Sequence, residues 1–313
     1  RRDFLQGMGA GLLSTMIMPG LWGRVLVQQV GRGMPPYPLF TDDTWECRLV
    51  AVGIGPFAAA SVAMLSRDLP DISCHQVLFN AAGEGSDLNT LLTLVRSCDL
   101  LFLLSGFDDP ACGPIFEALG AAARESDVFT IGVVPEPGFV RPDINTVSSL
   151  WPVSLRALPS PSPQSAPMAG TGSGWDGYAM RHLVATVTDV IQRHSLICVD
   201  FADVRYIMTS GRKGSMGVGI APTGSARVAA LEALERLRGQ GFDSRRASGF
   251  LVCVRSSSAL TMDDFDEVSA TLNKNIPESA DIVSSIVMDE SMGRNIKVTV
   301  LATAETGAGR APS

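Results

Sequence analysis

Four short, almost uninterrupted apolar runs constrain this chain more than any other feature. They lie at Arg48 to Val52, Gln76 to Phe79, Asp99 to Leu104 and Val128 to Val134. A strand that is apolar on both faces must be covered on both faces, which is the condition of a parallel sheet between helix layers. The intervening segments, Ala58 to Arg67, Leu88 to Arg96 and Ile115 to Arg124, carry helical periodicity and supply those layers. The first half therefore reads as an α/β unit.

A second constraint is the stretch from Trp175 to Met208. Leu183, Val184, Val187, Val190 and Ile191 recur at helical spacing. His182, Thr186, Asp189 and Arg193 fall on the other side, which predicts a polar, outward face. A short apolar run follows, then Cys198-Val199-Asp200-Phe201-Ala202-Asp203-Val204. Asp200 and Asp203 stand at i and i+3 at the start of another helical pattern. Asp200 suits an N-cap and Asp203 an acidic capping partner, so capping alone accounts for the spacing.

Beyond this stretch the pattern is mixed. Gly211, Gly214, Gly217 and Gly219 mark a turn into a strand at Met216 to Ala221. Arg212-Lys213 has the wrong spacing for a Walker motif and reads as an exposed basic turn. Ser225 to Arg238 is a predicted helix with Val228, Leu231, Leu234 and Leu237 on its buried stripe. Phe250 to Val254, Ile282 to Met288 and Ile296 to Ala302 are strands. Met262 to Lys274 is a helix capped by Thr261, with Asp263 and Asp264 at its positive end. Pro152 to Gly174, rich in Pro, Ser and Gly, reads as a loop. The aromatics Trp175 and Tyr178 read as buried helix residues.

Composition removes some function classes. The net charge of −7 argues against a nucleic-acid surface. The six cysteines form no C-x-x-C pair, and with three histidines a zinc site has no support. The cysteines read as small apolar residues, unpaired or in a reducing compartment.

Two loops are candidates for anion binding. Gly53-Ile54-Gly55-Pro56-Phe57-Ala58 joins a strand to a helix and fits G-x-G-x-x-A, the pattern of a dinucleotide enzyme of Rossmann type. Pro56 removes an amide donor, and the next strand runs into Asn80 where a ribose-binding acid belongs. The second loop is Ser105-Gly106-Phe107-Asp108-Asp109-Pro110-Ala111-Cys112-Gly113. Here Asp108 and Asp109 would repel a phosphate, and Pro110 removes another donor.

The run Asp200-Phe201-Ala202-Asp203-Val204-Arg205, with Met208 and Met216-Gly217-Val218-Gly219, resembles FtsZ, the bacterial relative of tubulin. The resemblance extends from about Cys47 to Ala304 and is closest after Asp189. It implies an α/β fold of tubulin/FtsZ type: a parallel-sheet nucleotide-type domain, a central helix, and a smaller α+β activation-type domain. On that reading residues 1–46 are an N-terminal segment and linker, and 47–174 the nucleotide-type domain. Residues 175–195 are then the central helix, 196–305 the second domain and 306–313 a tail.

In the family an N-x-D-x-x-D loop completes the GTPase site of the next subunit. The Asn position is Cys198 here, while Asp200 and Asp203 keep the acidic positions. The phosphate-binding positions that resemblance leaves are Gly53, Gly55, Gly106 and Gly113, with Arg141 matching a basic base-reading residue. The family's glycine-rich signature is absent. The resemblance therefore implies an FtsZ-like structural protein of division or membrane remodelling, with GTP binding lost or weakened and no cofactor expected. If the site still functions, it implies GTP with Mg²⁺, hydrolysed at a subunit interface. The partner it implies is another copy of the chain through longitudinal contacts.

The N-terminus adds one expectation. Arg1-Arg2-Asp3-Phe4-Leu5-Gln6, before an apolar run from Gly7 to Gly20, is similar to a twin-arginine export signal. The alternative is a helix docked on the domain or on a membrane surface. The compartments these imply are export on the one hand, and bacterial cytoplasm or inner-membrane surface on the other. Gly31 to Pro38 reads as a linker.

Overall fold

The structure, a computed structural model, describes residues 25–30, 47–79, 88–136, 145–159, 173–192, 195–197 and 199–304. The signal-like segment, the linker, Asn80, Arg141, Cys198 and the C-terminal tail lie outside the described residues. The chain divides into two compact units, residues 1–133 with 139–148, and residues 134–138 with 149–313.

In the first unit the strands β1 (Val25–Val30), β2 (Leu49–Ile54), β3 (Ile72–Phe79), β4 (Leu100–Ser105) and β5 (Phe129–Pro135) stand in the order β1-β3-β2-β4-β5. The pairs β3-β2, β2-β4 and β4-β5 are parallel, as the apolar runs require. Strand β1 adds antiparallel to β3 and was not foreseen within the N-terminal segment. The helices are α1 (Pro56–Asp68), α2 (Leu88–Ser97) and α3 (Cys112–Glu125). Every residue of β2, β4 and β5 is buried.

The second unit holds β6 (Ser149–Val153), α4 (Ser173–Gln192), β7 (Ser195–Ile197), α5 (Phe201–Thr209), β8 (Lys213–Pro222), α6 (Ala226–Gly239), β9 (Ala247–Ser256), α7 (Met262–Asn275), β10 (Asp281–Met288) and β11 (Asn295–Ala304). Its strand order is β6-β8-β11-β9-β10-β7. Strand β11 is antiparallel to both β8 and β9, while β9 and β10 are parallel. One sheet face, including Val252, Val254, Val298 and Val300, forms a core with α6 and α7.

Several expectations change here. Pro152 lies in strand β6, and Leu155–Ala157 is a 3-10 turn, so the start of the expected loop is ordered. Tyr178 is 37% exposed, with the Arg181 guanidinium 5.9 Å from its ring centre, so it is not a core residue. The buried stripe of α6 is Ala226, Ala229, Ala230, Ala233, Leu234 and Leu237, whereas Val228 is 51% exposed. The reason lies on β8. A side chain on Gly217 would overlap the Ala233 carbonyl, and one on Gly219 the Ala229 carbonyl. Helix α6 is set down so close to the strand at these two points that alanines face it, with Leu234 and Leu237 buried on the same stripe. Gly214, Gly217 and Gly219 are thus positions within the strand, not a turn leading into it.

The largest correction concerns α4. Leu183, Val184, Val187 and Val190 are buried, but so are His182, Thr186 and Asp189 on the supposedly outward stripe. Arg255 of β9 forms ion pairs with Asp189 and with Asp289, the latter at 3.1 Å. The His182 ring nitrogen lies 3.5 Å from the Thr299 hydroxyl of β11. A stripe that is polar in sequence is buried because the opposing sheet face is polar as well.

Candidate functional site

In the first unit the candidate residues converge at the C-terminal ends of β2 and β4. Gly55, at φ 87°, is the N-cap of α1, and Pro56 is its first helical residue. Proline is favoured there because that amide has no helical partner in any case. The Gly55 amide donates to the Val77 carbonyl of β3 at 2.9 Å. Gly53 has a packing role: a Cβ there would stand 2.6 Å from Val62 of α1.

The loop after β4 closes over this end. The Ser105 hydroxyl donates to the Ile54 carbonyl at 3.3 Å and accepts from the Phe107 amide at 3.2 Å. Phe107 adopts φ 53°, a left-handed conformation that reverses the chain, and its ring packs 5.4 Å from that of Phe116. The reversal brings the Asp108 carboxylate to the Phe57 amide, which donates to it at 3.3 Å. The Asp109 carboxylate accepts instead from the Ala111 amide at 2.8 Å, just before α3.

These contacts place side chains directly against the glycines. A Cβ at Gly55 would lie 2.8 Å from both the Asp108 carboxylate and the Cys112 sulfur. A Cβ at Gly106 would lie 2.7 Å from the Phe57 ring. Gly113 is buried in the first turn of α3. Gly53, Gly55 and Gly106 therefore come together, but the room their missing side chains leave is filled by Val62, Phe57, Asp108 and Cys112. The sequence foresaw repulsion at Asp108. It did not show that Asp108 would bond to the start of α1, because that depends on the left-handed turn at Phe107.

In the second unit Asp200 is the N-cap of α5, its carboxylate accepting from the Ala202 amide at 3.4 Å. Asp203 lies in the first turn and is exposed, and among the described residues its carboxylate has no partner. Capping accounts for the first aspartate and leaves the second unexplained. One turn on, Tyr206 is 58% exposed, its hydroxyl donating to Asp281 at 2.8 Å. That bond to a carboxylate raises the phenol pKa. Sequence reasoning missed Tyr206; an aromatic at i+3 from an unpaired aspartate was its signal.

Among the described residues no group of three or more His, Cys, Asp or Glu side chains could hold a metal. Cys74, Cys98, Cys112 and Cys253 are buried and Cys47 is half-buried, all as free thiols. Burial pushes the thiols of Cys74 and Cys253 up to about 12, as expected of cysteines that serve as small apolar residues. No helix among the described residues is long and apolar enough to cross a membrane.

The model of the FtsZ family, C-terminal domain, matches residues 213–305. The cell division protein FtsZ of Coxiella burnetii is 27% identical over 240 residues, covering 71% of this chain and 61% of that protein. Cell division protein FtsZ 1 of Rhizobium meliloti is 29% identical over 229 residues, 69% of this chain and 39% of the relative. The chain thus spans less than two thirds of the length of these curated relatives. Among solved structures, an empty FtsZ dimer from M. jannaschii superposes with a TM-score of 0.67 at 18% identity, covering 83% of this chain and 89% of that one. GDP-bound CetZ1 from Haloferax volcanii gives 0.55 at 10% identity, covering 84% and 96%. These structures share the fold, the curated relatives share sequence across both units, and the second unit carries the family's C-terminal domain. The chain is thus similar to FtsZ in sequence and in fold, and its residues 213–305 match the C-terminal domain of that family.

Proposed function

We propose that this protein is an FtsZ-like structural protein of cell division or membrane remodelling that assembles with copies of itself without GTP control. The observation that carries the loss of nucleotide is the Asp108 carboxylate on the Phe57 amide. A helix start presents amides to an anion. Here one of the first amides is missing at Pro56 and the next is engaged by the chain's own carboxylate, with the Phe57 ring over Gly106. Asp108 and Asp109 also bond to different amides, which argues against a shared Mg²⁺. The described residues do not fit a triphosphate. Self-assembly is supported by the dimer solved for the M. jannaschii relative and by the exposed surface of Asp203 and Tyr206 on α5.

The test is equilibrium binding of labelled GTP, with and without Mg²⁺, alongside light scattering across protein concentration. The expected result is no saturable binding up to millimolar GTP, and scattering that depends on protein concentration and not on GTP or GDP. Saturable micromolar binding that needs the guanine base would overturn it.

A second reading, a GTPase whose site is completed across a subunit contact, is favoured by one observation: the exposed carboxylate of Asp203, which has no partner among the described residues. It requires Asp108 to leave the start of α1. GTP-dependent scattering abolished by Asp203→Ala would support it. The dinucleotide-enzyme reading rests on Gly53 and Gly55 alone, to which packing and capping roles already fall.

A further inference from the structure

We propose that Cys47 and Cys98 form a redox pair that closes to a disulfide and ties the start of β2 to the start of β4. The strands pair in parallel from Leu49 with Leu100. One residue earlier they are already side by side. The amides of Asp99 and Leu100 donate to the Arg48 carbonyl at 3.0 and 3.3 Å, and the Asp99 carboxylate accepts from the Arg48 amide at 2.8 Å and its guanidinium at 3.3 Å. The next residue outward on each chain is a cysteine. Both cysteines lie just ahead of their strands, each one residue from the Arg48–Asp99 bonds that hold the two chains together.

The Cys47 thiol also senses Cys98. Burial raises Cys47 to about 12, and the nearby Asp99 and Cys98 charges add to the rise. Burial does the same to Cys98, again to about 12. Cys47 is half-buried, so an oxidant can reach it, whereas Cys98 is buried, with its thiol donating to the Val95 carbonyl at 3.2 Å. Closure gives up that weak bond.

The oxidant is a small disulfide such as oxidised glutathione. The Cys47 thiolate attacks one of its sulfurs, releasing one glutathione thiolate and leaving a mixed disulfide. The Cys98 thiolate then attacks the Cys47 sulfur, releasing the second. Two protein thiols are oxidised, one small disulfide is reduced to two thiols, and the protein loses two hydrogens. Because both thiols hold their protons tightly, closure is slow at neutral pH and speeds up about tenfold per pH unit. In a reducing compartment the pair stays open, and in an oxidising one it closes.

The experiment incubates the folded full chain with oxidised glutathione at several alkaline pH values, followed by intact mass and peptide mapping without reductant. The expected result is loss of two hydrogens, a linked peptide joining Cys47 to Cys98, and a melting temperature raised by several degrees that reductant reverses. Cys47→Ser should abolish the link. A stable glutathione adduct at Cys47 with Cys98 still free would overturn the proposal. So would a link through another cysteine, or thiols at both positions that react only after unfolding.

Discussion

Lys297 should destabilise the protein at neutral pH, and replacing it with methionine should make the chain more stable. In the β9-β11 register Lys297 stands directly opposite Arg255, two cations on the sheet face that meets α4. Both nearby carboxylates, Asp189 and Asp289, pair with Arg255. The Lys297 ammonium has no hydrogen bond or ion pair among the described residues. Burial, reinforced by the Arg255 charge, lowers its pKa from 10.5 to about 8, against a smaller opposing effect of Cys253 and Asp289. At 1.36 kcal/mol per unit, that displacement corresponds to about 3 kcal/mol as an upper value.

The sign follows from proton counting. Below about pH 8 folded and unfolded chains both carry the proton, and the full penalty is present. Between about 8 and 10.5 the unfolded chain binds the proton and the folded chain does not, so stability rises with pH. Above 10.5 neither binds it and the penalty is gone. Lys297→Met keeps most of the length of the side chain and removes the charge. Urea midpoints for both proteins at neutral pH and near pH 10 give the comparison. The variant should exceed wild type by on the order of 2–3 kcal/mol at neutral pH, with the difference shrinking toward zero as the pH rises. A variant less stable than wild type at neutral pH, or one that keeps the whole alkaline rise, would refute the reasoning.

Three further outcomes follow from the packing and the site. Gly219→Ala should lift α6 from β8 and lower stability by about 2–3 kcal/mol in urea unfolding, whereas Val228→Ala, on the exposed side of the same helix, should change it little. Asp200→Ala should lower stability by about 1 kcal/mol through loss of the cap, while Asp203→Ala should leave folding unchanged and reduce light scattering at matched concentration. Asp108→Ala should give the protein a thermal shift with inorganic phosphate or GTP that wild type lacks; an unresponsive but folded variant would mean that Phe57 alone closes the site.

The sequence made the buried parallel strands legible because apolar runs flanked by helical periodicity admit few alternatives. It also revealed two helix starts, at Asp200 and Thr261, since a cap is a local device within a few residues. What it concealed was set by residues far apart. Asp189 looks like a surface residue until Arg255, 66 positions later, is seen to lie against it. Val228 ranks above Ala229 in any apolar pattern, but the carbonyl over Gly219 decides which of the two can face the strand. At the candidate site the glycines and prolines were visible in order. The filling of that space by Phe57 and Asp108 depends on a contact 51 residues apart in the chain.

Asp264 belongs to α7 but also serves α6. It closes the capping box with Thr261 at the start of its own helix, and its other oxygen accepts from the Gly224 amide at 2.7 Å, just ahead of α6. Glu267, one turn on, accepts from the Arg227 amide at 3.3 Å. Fraying the first turn of α7 therefore withdraws acceptors from the start of α6 at the same moment. The two helices share one opening event, and their amides should exchange with solvent as a single cooperative block rather than as two.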